Sequence, residues 1–326
     1  MRRPDFRMRL AAAVLWCAWA GAWAGAEPAA RPLTPPSVAP TTQPDTQPAD
    51  SSNFMRFVDD GAGGGKLLTA IVTYKNDAGV TLHLIGAVHV AEKEYYESLN
   101  KTFRGYDALL YEMVKPKGSP APRRGQKSHS TIGAFQRFLK DVLSLDFQLD
   151  DIDYTRPNFV HADLDAETFS ELQDERGESF LGLMLKSMLH EINRQAEGRG
   201  RSVAPITMID LLVAIRAPDR PRQLKLLLAQ QFGDIEEQMA GLDGPNGSVI
   251  ITERNKKCIE TLKTAIADGN KDIGIFYGAA HMKDMSQRVE KLGFHKVDSE
   301  WRVGWDMTAP TPATAPATQP ALGPSF

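Results

Sequence analysis

Two short segments of this chain repeat one arrangement of residues that chemistry can use. Gly86-Ala87-Val88-His89 and Gly278-Ala279-Ala280-His281 each place a histidine three residues after a glycine. Each follows a run rich in strand-forming residues, and each precedes a helical pattern. Glycine at a strand exit lets the backbone turn tightly and approach a ligand. Loops leaving the carboxyl ends of parallel strands form the ligand crevice of α/β sheets. Gly86 and Gly278 are therefore expected to line a crevice, with His89 and His281 facing it.

A carboxylate joins them. Leu109-Leu110-Tyr111-Glu112-Met113 is an apolar run with one acid, and a charge buried in such a strand is costly without a partner. A metal ion or a protonated imidazole would be such a partner. Two histidines and one carboxylate around an open position suit a catalytic divalent ion, zinc among them. Arg254 lies three residues after Ile251 and four before Cys258, on the apolar side of a helical pattern, with Asn255 beside it. An arginine so placed pairs with a carboxylate or awaits an anionic ligand. Taken singly, each residue has a plainer reading: a structural loop histidine, a salt-bridged Glu112, an Arg254 clamped on Glu112 or Glu253. The doubled strand-Gly-x-x-His-helix unit, with an acid-ending strand between its copies, is what singles out a site.

Other residues carry less. His83 sits inside a strand and is a candidate supporting residue. His161-Ala162-Asp163 offers two ligands on one face of an extended segment, although Asp163 or Asp165 is better read as the cap of a helix starting near Ala166. His190-Glu191 resembles the start of a zinc-protease helix, but Arg194 stands where the second histidine belongs.

The elements that must position these residues are legible from periodicity. Leu67 to Lys75 and Val80 to Gly86 form a hairpin across Asn76-Asp77-Ala78-Gly79. Ala91, Tyr95, Leu99 and Phe103 recur at helical spacing, and a strand through Glu112 follows. That order is a βαβ unit, implying a parallel pair. A Pro/Gly/basic loop spans Lys115 to Lys127. Helical patterns come next: one with Ile132, Phe135, Leu139 and Val142, and one with Phe180, Leu183, Met184, Met188 and Ile192. Others cover residues 206–216 and 222–240. Ile251, Cys258, Ile259, Leu262 and Ile266 make one stripe of a further helix. A strand over Asp272 to Gly278 follows, then a helix with Met282, Met285, Val289 and Leu292, ended by Gly293. Phe294 to Val297 and Trp301 to Met307 read as two closing strands. The expected fold is α/β with α+β character: a mixed central sheet built from both chain ends, with a helical insertion over about residues 128–245 between them.

The ends are of a different composition. Arg2, Arg3, Arg7 and Arg9, an apolar run of about 14 residues and Ala24-Gly25-Ala26 read as a signal peptide over residues 1–26. The run is short of the ~20 residues a membrane span needs, so no stable membrane insertion is expected after cleavage; retention as an anchor is the alternative. Trp16 before Cys17 argues against lipoprotein processing, and Pro4-Asp5 after Arg2-Arg3 argues against twin-arginine export. Residues 27–55 and 308–326, rich in Pro, Thr and Ala, read as disordered linker and tail around a domain over 56–307. An exported protein, periplasmic or secreted, follows. Cys17 leaves with the signal, so Cys258 has no partner within the chain and reads as a small core residue. The net charge of −3 argues against nucleic acid as a partner.

Taken in order, Leu84-Ile85-Gly86-Ala87-Val88-His89, Leu110-Tyr111-Glu112, Thr252-Glu253-Arg254-Asn255 and Phe276-Tyr277-Gly278-Ala279-Ala280-His281 resemble the TraB/PrgY/GumN family over roughly residues 65–300. That family is similar to the animal TIKI proteins, metal-dependent proteases using manganese or cobalt, and to erythromycin-esterase and ChaN-like folds. The resemblance implies that His89, Glu112, Arg254 and His281 are the functional positions.

Three functions follow as expectations. One is a metal-dependent hydrolase of a peptide or small molecule, in which His89, His281 and Glu112 hold a divalent ion. Glu112 is then a third ligand or the base, and Arg254 stabilises an oxyanion or orients Glu112. The second is a metal-free esterase-type hydrolase using histidine and Glu112. The third is a protein that sequesters a peptide signal or a haem-like ligand.

Overall fold

The computed structural model describes residues 54–122, 142–178, 208–232 and 247–309. The leader, nearly all of the linker and the tail lie outside them, as do Ile132, Phe135, Leu139, the 180–192 helical pattern and His190-Glu191.

The chain opens with β1 (Met55–Asp59), β2 (Gly65–Lys75) and β3 (Thr81–Ala87), all antiparallel, with Tyr74 opposite Leu82 and Ile71 opposite Ile85. The Asn76 side chain closes the β2–β3 turn by accepting the Val80 N–H at 2.9 Å. Phe54 and Met55, expected at the end of the linker, are buried at 0% and 5% exposure, so the packed part starts before residue 56.

Beyond β3 come β4 (Val90–Ala91), α1 (Lys93–Thr102), a 3-10 turn over Phe103–Gly105, and β5 (Ala108–Tyr111). The next described stretch holds β6 (Asp146–Phe147), α2 (Gln148–Asp151), β7 (Phe159–His161) and α3 (Ala166–Glu175). Two more helices of the expected helical insertion, α4 (Met208–Arg216) and α5 (Arg220–Phe232), follow. A wide π-type turn over Val249–Glu253 leads into α6 (Arg254–Ala267). The chain then forms β8 (Asp272–Gly278), α7 (Ala279–Lys291) and β9 (His295–Asp306).

Among the described residues the result is a mixed seven-stranded sheet. β9 lies along one side of β2; β1 and β3 share its other side, and the order continues β3, β8, β5, β7. The last three contacts are parallel, with Ile85 opposite Phe276, Leu110 opposite Ile275, and Leu110 opposite Val160. β5 is buried at every position and β8 at all but its ends, the pattern of a parallel sheet covered on both faces. Leu84, Ile85, Leu109, Leu110, Ile273 and Ile275 are fully buried there, each contributing about 1.5–3 kcal/mol of burial.

Three expectations need correction. β3 and β5 run parallel but are not neighbours, because β8 inserts between them; local order cannot reveal a strand that arrives from the far end of the chain. The two closing strands are one, β9, since the polar residues between Val297 and Trp301 keep pairing with β2 across two irregularities in register. The 128–245 insertion is not wholly helical: β7 forms the sheet's edge, too short at three residues to show a period.

The sheet's geometry has one consequence for chemistry. β3, β8, β5 and β7 point the same way, so the residues just past their ends emerge at one edge: His89, then Gly278 and His281, then Glu112, then Asp163. Among the described residues no helix is long and apolar enough to cross a membrane.

Candidate active site

Glu112 is the first residue beyond β5. Its N–H donates to the Phe276 carbonyl at 3.1 Å, extending the ladder to β8 by one step. This brings the carboxylate to the mouth of the next loop, where Oε2 accepts the N–H of Gly278 at 2.6 Å. Gly278 directly precedes α7, so a carboxylate here also meets the positive end of the helix dipole.

Arg254 reaches the same point from α6. Ser248 accepts the Ile251 N–H at 3.1 Å and starts the wide turn that delivers Arg254 to the sheet edge. Its Nη2 donates to Glu112 Oε1 at 2.7 Å and to Asp163 Oδ2 at 2.6 Å, and its Nε donates to Asp163 Oδ1 at 2.9 Å. Two carboxylates thus share one guanidinium, the bidentate geometry that arginine favours. Burial alone would raise the Glu112 pKa. The charge of Arg254 outweighs burial and holds the carboxyl well below the usual carboxylate range. Burial also opposes the charge of Arg254, yet Asp163 and Glu112 overcome it and keep the guanidinium protonated.

His281 sits in the first turn of α7 at 4% exposure. Its Nε2 lies 3.5 Å from Glu112 Oε1 and 3.4 Å from Arg254 Nη1, and its Nδ1 lies 2.8 Å from Asn255 Oδ1. Tyr277 packs edge-on against the ring, centroids 5.2 Å apart, and donates its hydroxyl to the Ala162 carbonyl at 2.5 Å. His89, by contrast, is exposed. Its carbonyl accepts the Gln148 N–H at 2.9 Å, which fixes the loop. A Cβ placed on Gly278 would lie 3.4 Å from Glu112 Oε2 and 3.9 Å from both His281 Cδ2 and His89 Nε2. Gly278 is therefore the floor on which both histidines and the glutamate converge.

The two glycines differ. A Cβ on Gly86 would point at Phe54, 3.2 Å from its Cβ, and at the Ala70 carbonyl. Gly86 thus serves packing beneath β1 and not the crevice, because it lies inside β3, whereas Gly278 ends β8.

Asp163 is the residue that sequence reasoning undervalued. The cap of α3 is Asp165, whose Oδ1 accepts the Thr168 N–H at 2.8 Å; Asp163, 2% exposed, belongs to Arg254 instead. The available signal was an acid between apolar Ala162 and Leu164, two residues past the end of β7. His161 is turned aside, its Nε2 donating to the Met113 carbonyl at 2.6 Å. His83 is remote, bonded to Asp272 at 2.9 Å and Thr73 at 3.0 Å and stacked on Tyr106. A pocket of about 400 Å³ opens beside Asp163, bordered by Lys115, Lys117, His161 and Lys257.

For a divalent ion, the donors fit in kind. Glu112 Oε1 and His281 Nε2 are separated as two ligands of one ion at ~2.0–2.2 Å can be. Among the described residues, however, no three His, Cys, Asp or Glu side chains form a ready-made cluster. The guanidinium of Arg254 stands against both Glu112 and His281, and His89, exposed, would have to be the third donor.

The chain matches no family model, no curated protein and no solved structure in comparisons with each.

Proposed function

We propose that this chain is a hydrolase of a peptide-like bond in which His89, Glu112 and His281 hold a divalent ion, as the TraB/PrgY/GumN resemblance implies for manganese or cobalt; zinc suits the same donors. The observation that carries this reading is the convergence of two strand-Gly-x-x-His exits and the largely shielded Glu112 carboxylate on Gly278, from three parallel strands. When bound, the ion supplies Lewis acidity and makes hydroxide available near neutral pH.

The residues themselves divide the remaining work. Glu112, held well below the usual carboxylate range, is a poor proton acceptor; its part is that of an anionic ligand and counter-charge. Arg254 offers Nη1 towards the crevice, where it can stabilise negative charge developing on a carbonyl oxygen. Asp163 holds that guanidinium in place from behind.

A second reading has its own observation. The Nη1 of Arg254 already faces His281 Nε2, and both Glu112 oxygens have protein donors. That arrangement supports metal-free chemistry in which His281 acts as general base beside the Glu112–Arg254 pair.

Metal analysis of the purified full chain beside a His89→Ala/His281→Ala variant separates the readings, together with peptide hydrolysis before and after chelation. About one manganese, cobalt or zinc per chain, lost in the variant, with chelator-sensitive turnover, is the expected result. Turnover that survives both chelation and loss of metal would select the metal-free reading. A tightly held ligand recovered unchanged, without turnover, would overturn both in favour of sequestration.

A further inference from the structure

Behind His281 lies a chain of polar groups that none of the preceding roles uses. Asn255 is fully buried. Its Nδ2 donates to the His281 carbonyl at 3.0 Å and to Asp284 Oδ2 at 2.8 Å. Arg288, one turn further along α7, donates its Nε to that same Asp284 oxygen at 2.5 Å. His281, Asp284 and Arg288 thus form one face of α7, with Asn255 of α6 set against it.

The orientation of the Asn255 amide follows from chemistry. A carbonyl and a carboxylate only accept, and an amide NH2 has two hydrogens, so these two acceptors take both. The amide oxygen must then face His281 Nδ1. Because that oxygen only accepts, Nδ1 must carry a hydrogen, and a neutral ring has just one. Nε2 is left with its lone pair, turned towards Arg254 Nη1 at 3.4 Å, and has no hydrogen to give Glu112 Oε1 at 3.5 Å. The Arg254 contact agrees, since a guanidinium N–H can meet only a lone pair.

We propose that Asp284 is a positioning residue: together with the His281 carbonyl it holds Asn255 with its oxygen towards His281 and thereby fixes the imidazole as the Nδ1–H tautomer, lone pair in the crevice. Both readings of the site, metal ligand and general base, need that lone pair. The catalytic consequence rests on the proposed function; the tautomer does not. Asp284 lies on the far side of Asn255 from the ring, and a role confined to stability would leave the ring's protonation pattern unchanged when it is removed.

Nitrogen-15 NMR of the imidazole rings in the full chain tests this, because the two nitrogens of a neutral ring report separately which one carries the hydrogen. In the unaltered protein Nδ1–H should exceed Nε2–H by about tenfold or more, as one good hydrogen bond allows. Asp284→Asn, which keeps an oxygen to accept from Asn255, should preserve that ratio. Asp284→Ala, or Asp284→Ser where Ala fails to fold, should move the ring towards the Nε2–H form that free histidine prefers. A predominantly Nε2–H ring in the unaltered protein overturns the inference. So does an unchanged ratio in whichever short-side-chain variant folds. A protein that hydrolyses nothing yet shows these tautomers would lose the proposed function and keep Asp284 as the positioning residue.

Discussion

Glu112 Oε1 lies 2.7 Å from Arg254 Nη2, although 142 positions separate the two residues in the chain. Asp163, 91 positions before Arg254, meets the other side of the same guanidinium. The three side chains are 12%, 11% and 0% exposed, so water screens them little. A buried cation shared by two carboxylates makes an asymmetric prediction. Arg254→Met leaves both carboxylates without their cationic partner, at a cost of about 3–5 kcal/mol. Glu112→Gln leaves the Arg254–Asp163 pair intact and should cost less. Urea unfolding of the single and double variants gives the coupling, expected at about 0.5–3 kcal/mol. An Arg254→Met protein within about 0.5 kcal/mol of the parent would remove the basis for calling this pair the centre of the site.

The two motif glycines should separate packing from function. Gly278 has a backbone of φ −53° and ψ 141°, which alanine adopts freely, and its added methyl would meet site atoms at 3.4 Å or beyond. Gly278→Ala is expected to fold with a stability change within about 0.5 kcal/mol while losing metal binding or turnover. Gly86→Ala forces a methyl to 3.2 Å from Phe54 Cβ and should destabilise by about 1–3 kcal/mol, with a crevice otherwise intact. Thermal unfolding and metal content of both variants check the pair; a reversed pattern would mean that the crevice lies on the other side of the sheet.

Asp107 tunes the sheet from the opposite end. One of its carboxylate oxygens accepts the N–H groups of Lys271 at 2.8 Å and Asp272 at 2.9 Å, tying the start of β8 to the start of β5. Those bonds, with Lys271 first, lower its pKa. A depressed folded-state value adds stability above the unfolded value of about 3.9, and that stability is lost as pH falls through the folded value. Asp107→Asn should therefore flatten the acid limb of the stability–pH curve and leave its neutral-to-alkaline limb parallel to the parent's. Urea midpoints from pH 2 to 8 read this directly. An unchanged acid limb would show that the two N–H bonds do not register β8 against β5.

Much of this site is legible in the sequence because its parts sit at element ends. Gly278, His281 and Glu112 each mark a change from strand to loop or helix, and local composition reports such changes well. Arg254 could be placed because Ile251 and Cys258 set the buried side of its helix. What stayed hidden depends on partners from elsewhere in the chain. β8 enters between β3 and β5 without any local sign, and β7 is too short for alternation to show. Asp163 and Asp165 are two acids two residues apart at a helix start. Only the position of Arg254 decides which one caps the helix and which one enters the site. Gly86 and Gly278 look alike in their motifs, and only the strand to which each belongs turns one towards Phe54 and the other towards Glu112.

Cys258 offers a reporter for the whole arrangement. The thiol is fully buried on α6, one turn after Arg254, and burial pushes its pKa up. A thiolate is the reactive form, so the native protein should resist iodoacetamide until it opens. A domain stable by about 5 kcal/mol opens less than once in a thousand, so native labelling should be slower than labelling in urea by roughly that factor or more. Arg254→Met loosens the same helix and should speed native labelling about tenfold for each ~1.4 kcal/mol it costs. Labelling that is fast in the parent would place Cys258 on a surface. Labelling unchanged by Arg254→Met, despite a measured loss of stability, would mean that α6 opens separately from the cluster that Arg254 holds.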